Sequence, residues 1–346
     1  MRSPKLTAID LFAGAGGASQ GLKDAGFTVL AAVENDRFAA ETYRRNHPRT
    51  LLVESDIVTV SPSKLRIKLG LRREALTLLK ACPPCQGYSS IGKMDISDPR
   101  NDLVAEMVRF AVEFLPKIVL LENVPGLRRD QRFKDVLQAL TELGYVVREY
   151  ILDARDFGVP QRRRRLIVVA VRDRRRSVLP ADLVSLLDKR FFRGKPTLHK
   201  IFSYDKTRAA RRDPLQKKLP TRADVDARIR AIPVGGNRKH LPADLVLPCH
   251  ARLRSAAVAS YGRIDLGAVA PTMTTRCTTP ACGSFIHPTE PRPITLREAA
   301  LIQTFPRKYV FAGGRTQIER QIGNALPVRM ARGLGLIALK MLRNRR

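Results

Sequence analysis

Short apolar runs alternate, through the first half of the chain, with segments whose apolar residues recur every three to four positions. The runs at residues 5–12, 29–33, 50–53, 75–79 and 118–121 have the length and the continuous apolar character of buried strands. Between them, residues 18–25, Arg37–Asn46, Leu103–Phe114 and residues 133–143 predict helices. In Leu103–Phe114 the residues Leu103, Met107, Phe110, Ala111 and Phe114 share one face. Gly26, Pro116 and Gly144 stand where helices should stop. Two more strands are predicted at residues 145–152 and 165–171. This rhythm predicts an α/β fold, a Rossmann-like doubly wound sheet with helices on both faces.

The rhythm fails near Asp173. From there to about Pro293 the chain is rich in Pro, Arg and short segments, which predicts a second, smaller, mostly irregular and β domain. Regular pattern returns at Thr295-Leu296-Arg297-Glu298, a capping box that opens a helix running to Gln303. A last helix at residues 328–342, with Pro327 at its first turn, has an apolar face broad enough to pack back onto the first domain. The expected boundaries are residues 1–175, 176–292 and 293–346.

Charge changes the picture more than composition does. The 346 residues carry 63 Lys and Arg against 32 Asp and Glu, a formal net charge of +31. A surplus of that size opposes compaction unless a polyanion offsets it, so nucleic acid is the first partner to expect. Five cysteines, an odd number in a long chain, do not suggest a disulfide framework. The apolar segment at residues 6–12 is too short for a secretion signal, and no run approaches a membrane span of ~20 residues. A soluble cytoplasmic protein is expected, without membrane or metal partners.

Candidate chemistry collects at the strand ends. After the first strand come Ala13-Gly14-Ala15-Gly16-Gly17, a glycine-rich turn opening a helix, as in a nucleotide-binding βαβ unit. Ser19 occupies the place of the third glycine of a dinucleotide fingerprint, and no phosphate-directed lysine follows, so the turn suits an adenosine without phosphates. A nicotinamide-dependent dehydrogenase is the competing reading. Glu34, at the second strand's tip about 20 residues on, is placed for ribose hydroxyls. Asp56, at the third tip, can accept from an exocyclic amine or serve as a turn cap. Behind Pro83 and Pro84, which stiffen the turn, stands Cys85. Glu122 follows four core residues, where burial should raise its pKa. Nine arginines fall between Arg155 and Arg176, of which Arg165, flush with a strand, is expected to point inward.

The order of these motifs resembles the DNA (cytosine-5) methyltransferases over nearly the whole chain, and most closely their bacterial, modification-type members. The resemblance rests on Asp10 to Gly17, Glu34, Asp56, Pro84-Cys85-Gln86, Glu122-Asn123-Val124, Gln161-x-Arg163-x-Arg165, Arg297-Glu298 through Phe305-Pro306, and Gln321-Ile322-Gly323-Asn324. It implies that Cys85 is a nucleophile toward C6 of cytosine, and that Glu122 serves N3 and the amino group. It implies that Arg163 and Arg165 hold the attacked base. The implied cofactor is S-adenosyl-L-methionine, held by Phe12, Gly14, Gly16, Gly17, Glu34, Asn35, Asp56, Ile57, Pro84, Leu103 and Asn324. The implied partner is double-stranded DNA, from which the target base is flipped out. Its expected contacts are Gln86, Ser89, Arg162, Arg238, Arg263, Thr274, Thr275 and Arg276. A monomer, with a cognate restriction endonuclease acting separately, completes the expectation.

Three readings compete. Cys82 and Cys85 form a Cys-x-x-Cys, but Cys249, His250, Cys277 and Cys282 supply no second pair at zinc spacing, so Cys82 is expected to pack behind the loop. A tRNA methyltransferase of the same fold should carry a Cys-Phe-Thr segment, which is absent. A DNA-binding relative without activity should have lost Cys85 or Glu122, and both are present.

Overall fold

The computed structural model describes residues 6–84, 99–172, 179–218, 220–248 and 258–343. They fall into two compact units. The first comprises Met1–Phe157, Arg164–Arg193 and Leu326–Arg346, and the second Gly158–Arg163 and Gly194–Ala325. Among the described residues no helix is long and apolar enough to cross a membrane.

The first unit is built on a seven-stranded sheet of order β3-β2-β1-β4-β5-β7-β6. Its strands are β1 (Thr7–Leu11), β2 (Thr28–Glu34), β3 (Leu51–Glu54), β4 (Leu78–Ala81), β5 (Ile118–Asn123), β6 (Tyr145–Asp153) and β7 (Arg164–Arg172). The first five pair in parallel, whereas β7 inserts antiparallel between β5 and β6. The apolar runs predict the strands but carry no sign of this reversal, because a strand buried on both faces reads alike in either direction. Strand order turns back between β1 and β4, and in open α/β sheets the crevice at such a point takes the ligand.

Helices α1 (Gly17–Asp24), α2 (Arg37–Asn46), α3 (Pro62–Lys68), α4 (Leu103–Phe114) and α5 (Gln131–Glu142) follow the strands. The apolar face read from the sequence on α4 is buried, with Met107, Phe110, Ala111 and Phe114 fully enclosed beside Ile9, Leu79 and Val119. Helix α5 begins two residues before its apolar pattern because Asp130 caps it, accepting from Arg132 N. Helix α3 escapes the periodicity argument altogether. Its apolar anchor is Leu65, and its start is set by the Ser61 cap and Pro62.

Strand β4 lies later than residues 75–79, the run read from the sequence, because it includes Lys80. A lysine inside an apolar run reads as a strand end. Here its ammonium is buried and lies 2.7 Å from the Asp10 carboxylate, its register partner on β1. The chain re-enters the first unit at Leu326, and helix α11 (Val328–Arg343) packs on α1.

The second unit holds the short helices α6 (Leu198–Phe202), α7 (Arg208–Arg211) and α8 (Ala223–Ala231), then α9 (Leu296–Ile302) and α10 (Arg315–Asn324). Its β character, among the described residues, is confined to isolated bridges such as Arg263 with Ile286. The predicted capping box opens α9, with Glu298 N donating to Thr295 Oγ1 at 3.1 Å and Thr295 N to Glu298 Oε2 at 2.7 Å. A small core of Ile229, Ile232, Leu241, Tyr261 and Ile286 supports the irregular segment.

Candidate functional site

The turn after β1 is shaped by its backbone. Phe12 holds φ 54, a left-handed conformation that a bulky side chain adopts at a cost of about 1–3 kcal/mol, and such outliers gather at functional sites. Gly14 and Gly16 have φ 55 and 87, which glycine takes without that cost. The turn then becomes the N-terminus of α1, capped by Gly16 without a side-chain hydrogen bond.

Glu34, at the end of β2, reaches into this turn. Its Oε2 accepts from Gly14 N at 2.7 Å and its Oε1 from Asp36 N at 2.8 Å. Burial pushes its pKa up, while the hydrogen bonds from Asp36 and Gly14 pull the other way. Asn35 beside it is exposed. Asp56 is exposed and accepts from Val58 N at 3.1 Å, so it caps the 3₁₀ turn Ile57–Thr59, the alternative role left open by the sequence. Ile57 is buried, and Pro84 and Leu103 are half-buried in the same unit.

This donor set fits S-adenosylmethionine. A left-handed glycine turn admits close approach, Glu34 supplies a carboxylate at a strand tip, and no phosphate-binding lysine is needed. Asn324 ends α10 in the second unit, where it is exposed.

The tips of β4 and β5 carry the second cluster. Glu122 is 8% exposed, and Arg165 Nε on β7 lies 2.8 Å from its Oε1. The carboxyl expected from the apolar run of β5 therefore has a guanidinium partner that the run itself does not reveal. Asn123 donates through Nδ2 to Pro83 O at 3.2 Å, and its Oδ1 accepts from Val124 N at 2.7 Å. This residue, read from the sequence only as part of Glu122-Asn123-Val124, ties the β5 tip to the Pro-Pro turn. Burial pushes the Cys82 thiol well up, with the Glu122 charge adding to the effect, which disfavours its thiolate. Cys85, Gln86 and Ser89, and the zinc candidates Cys249 and His250, lie outside the described residues.

Among the described residues of the arginine run, Arg163 is the most deeply buried at 2%, whereas the sequence points to Arg165 as the inward one. Arg165 lies partly inward as well, paired to Glu122, while Arg162 is exposed. Arg163 belongs to the second unit, where Nη1 donates to Met273 O and Nη2 to Gly323 O, both at 3.1 Å. Gln161 is fully buried there, donating to Gln303 Oε1 at 2.9 Å and accepting from Met273 N at 2.8 Å. These bonds anchor the segment that carries Thr274, Thr275 and Arg276, of which the last two are exposed. Arg238 is half-buried. Arg263 lies inside the second unit, donating to the carbonyls of Ile229, Ile232, His287 and Glu290. Its guanidinium organises that core. The periodicity of the sequence gives no sign that an arginine could do so, since the accepting carbonyls come from distant loops.

Comparison with known proteins gives the family and the fold. The C-5 cytosine-specific DNA methylase family matches residues 6–337. The chain is 34% identical to the Type II methylase M.HgiDII of Herpetosiphon aurantiacus, over 94% of this chain and 92% of that protein. It is 32% identical to the Type II methyltransferase M.DdeI of Desulfomicrobium norvegicum, over 95% of this chain and 87% of that one. The solved structure of the Entamoeba histolytica methyltransferase EhMeth shares the fold, with a TM-score of 0.64 at 16% identity over 98% of this chain and 99% of that one. With the glycine turn and Glu34 at one strand end and Glu122 with Arg165 at another, the chain belongs to the C-5 cytosine-specific DNA methylase family.

Proposed function

We propose that the protein methylates C5 of cytosine within a short specific sequence of duplex DNA, as the modification enzyme of a restriction–modification system. The observation that carries this reading is the Glu122–Arg165 pair at the tips of β5 and β7, beside the turn that leads to Cys85. Cytosine C5 is a poor nucleophile. Attack of the Cys85 thiolate on C6 places electron density on the ring, and a proton or strong hydrogen bond at N3, shared with Glu122, relieves it. Arg165, already paired to Glu122, is placed to meet the neighbouring carbonyl O2. Arg163 holds the segment at Met273 in place. Loss of the C5 proton and release of Cys85 then restore the ring.

S-adenosylmethionine supplies an electrophilic methyl group when bound. Phe12, Gly14, Gly16, Gly17, Glu34, Asn35, Asp56, Ile57, Pro84 and Leu103 form its site, with Glu34 on the ribose hydroxyls. Target recognition belongs to residues 176–292, with Arg238, Thr274, Thr275 and Arg276 as DNA contacts joined by Gln86, Ser89 and Arg162. Two relatives that cover nearly the whole chain are Type II enzymes, which supports the restriction–modification setting.

The test is to incubate the protein with unmethylated genomic DNA and S-adenosylmethionine, then to map 5-methylcytosine at base resolution. One short motif methylated throughout is the expected result. No 5-methylcytosine, from folded protein that binds the cofactor, would refute the assignment and turn attention to RNA.

A further inference from the structure

The glycine turn is held from behind by side chains that no step of the reaction uses. Ser19, which breaks the dinucleotide fingerprint, is fully buried on α1, where its hydroxyl donates to Asp10 Oδ2 at 2.6 Å and accepts from Tyr43 OH at 2.7 Å. The Asp10 end is neutralised by Lys80 at 2.7 Å. One turn further along α2's axis, at its C-cap, His47 is 1% exposed and its ring centroid lies 4.6 Å from that of Tyr43. His47 Nε2 lies 3.2 Å from Gly16 O, and Lys23 Nζ lies 2.8 Å from Nδ1. A carbonyl can only accept and an ammonium can only donate. The ring is therefore neutral, with its proton on Nε2, and Nδ1 accepts from Lys23. Burial and the Lys23 charge agree with this, lowering the His47 pKa to about 3.

We infer that Tyr43 and His47 are positioning residues for the cofactor, fixing the left-handed conformation of the turn through Ser19 and the Gly16 carbonyl. The inference rests on the reading of this turn as the S-adenosylmethionine site. The Gly16 carbonyl already accepts from Gln20 N at 2.9 Å, so the His47 bond is a second one on the same oxygen, made from outside the helix. It fixes the direction of the peptide at the point where the turn becomes α1. A turn free to rotate there would present its N–H groups in many directions, and binding would have to select one of them.

The experiment is calorimetric titration of the full chain with S-adenosylhomocysteine, comparing wild type with His47→Ala, His47→Gln and Tyr43→Phe. His47→Ala should weaken binding roughly tenfold, and Tyr43→Phe roughly threefold. His47→Gln, whose amide can stand in for the Nε2 donor, should recover most of the affinity. A role in folding alone would reduce the number of sites titrated while leaving the constant of the remaining sites unchanged, and that result would overturn the inference. So would a His47→Gln variant as weak as His47→Ala. If wild-type protein bound no S-adenosylhomocysteine, the cofactor reading itself would fall. Wild-type binding with unchanged constants in His47→Ala and Tyr43→Phe would remove the positioning role alone.

Discussion

At the scale of single residues, the two strand-tip carboxylates face different constraints. Glu34 is anchored by two backbone N–H groups and its pKa is raised by burial. A raised carboxyl pKa means protonation begins at a higher pH than the ordinary 4.5. The protonated form loses acceptor strength toward the ribose, so cofactor affinity should fall on acidification while the fold is still intact. Titrations with S-adenosylhomocysteine from pH 8 downward should show the loss, and Glu34→Gln should bind weakly with no such pH dependence. Glu122 is paired to Arg165. Glu122→Gln should slow methyl transfer by at least a hundredfold while leaving cofactor binding unchanged, since general acid–base contributions are typically 10²–10⁴-fold. The two nearby cysteines should separate cleanly. Cys85→Ser should abolish turnover and spare DNA binding. Cys82→Ser should keep turnover within a few-fold, because a thiol held protonated by burial is no nucleophile. Equal loss from both would remove Cys85 from its role.

At the scale of elements, the close contact of α1 with α11 sets the clearest stability prediction. A Cβ at Gly21 would lie 2.4 Å from Val328 O and 2.6 Å from the Ala331 Cβ. Alanine gains about 1 kcal/mol in helix propensity over glycine. Backbone at 2.4 Å cannot yield as a flexible side chain can, and overpacking of this kind typically costs 1–3 kcal/mol or more. The clash should win, and Gly21→Ala should lower the denaturation midpoint in a thermal or urea scan. Most of these elements were legible in the sequence. Arg37–Asn46 and Leu103–Phe114 emerge with the ends read from their pattern, because a side-chain cap or a proline marks them. Helix α10 carries no helical signal in its sequence, since Ile318 and Ile322 are its buried aliphatic residues and the rest of its surface is polar. Lys80 reads as a strand end for the opposite reason. Its charge says surface, and the Asp10 carboxylate on neighbouring β1 allows it to be buried.

At the scale of the whole molecule, the net charge of +31 makes a quantitative prediction. Binding to phosphates releases counterions, so DNA affinity should drop about a thousandfold or more between 50 and 200 mM salt if six or more phosphates are met. A flat salt titration would contradict a phosphate-facing surface. Composition and the order of motifs were enough to determine the family, the sheet's strand–helix alternation and the chemistry expected at each strand tip. These depend on residue type and on spacing along the chain, which a sequence states directly. The tertiary structure alone decided that β7 runs antiparallel, that Arg263 braces a core, that Glu122 meets Arg165, and that Ser19 meets Asp10 and His47 the Gly16 carbonyl. Each of these depends on which distant groups complete a buried charge or hydrogen bond. That pairing is settled by three-dimensional proximity, and periodicity carries no record of it.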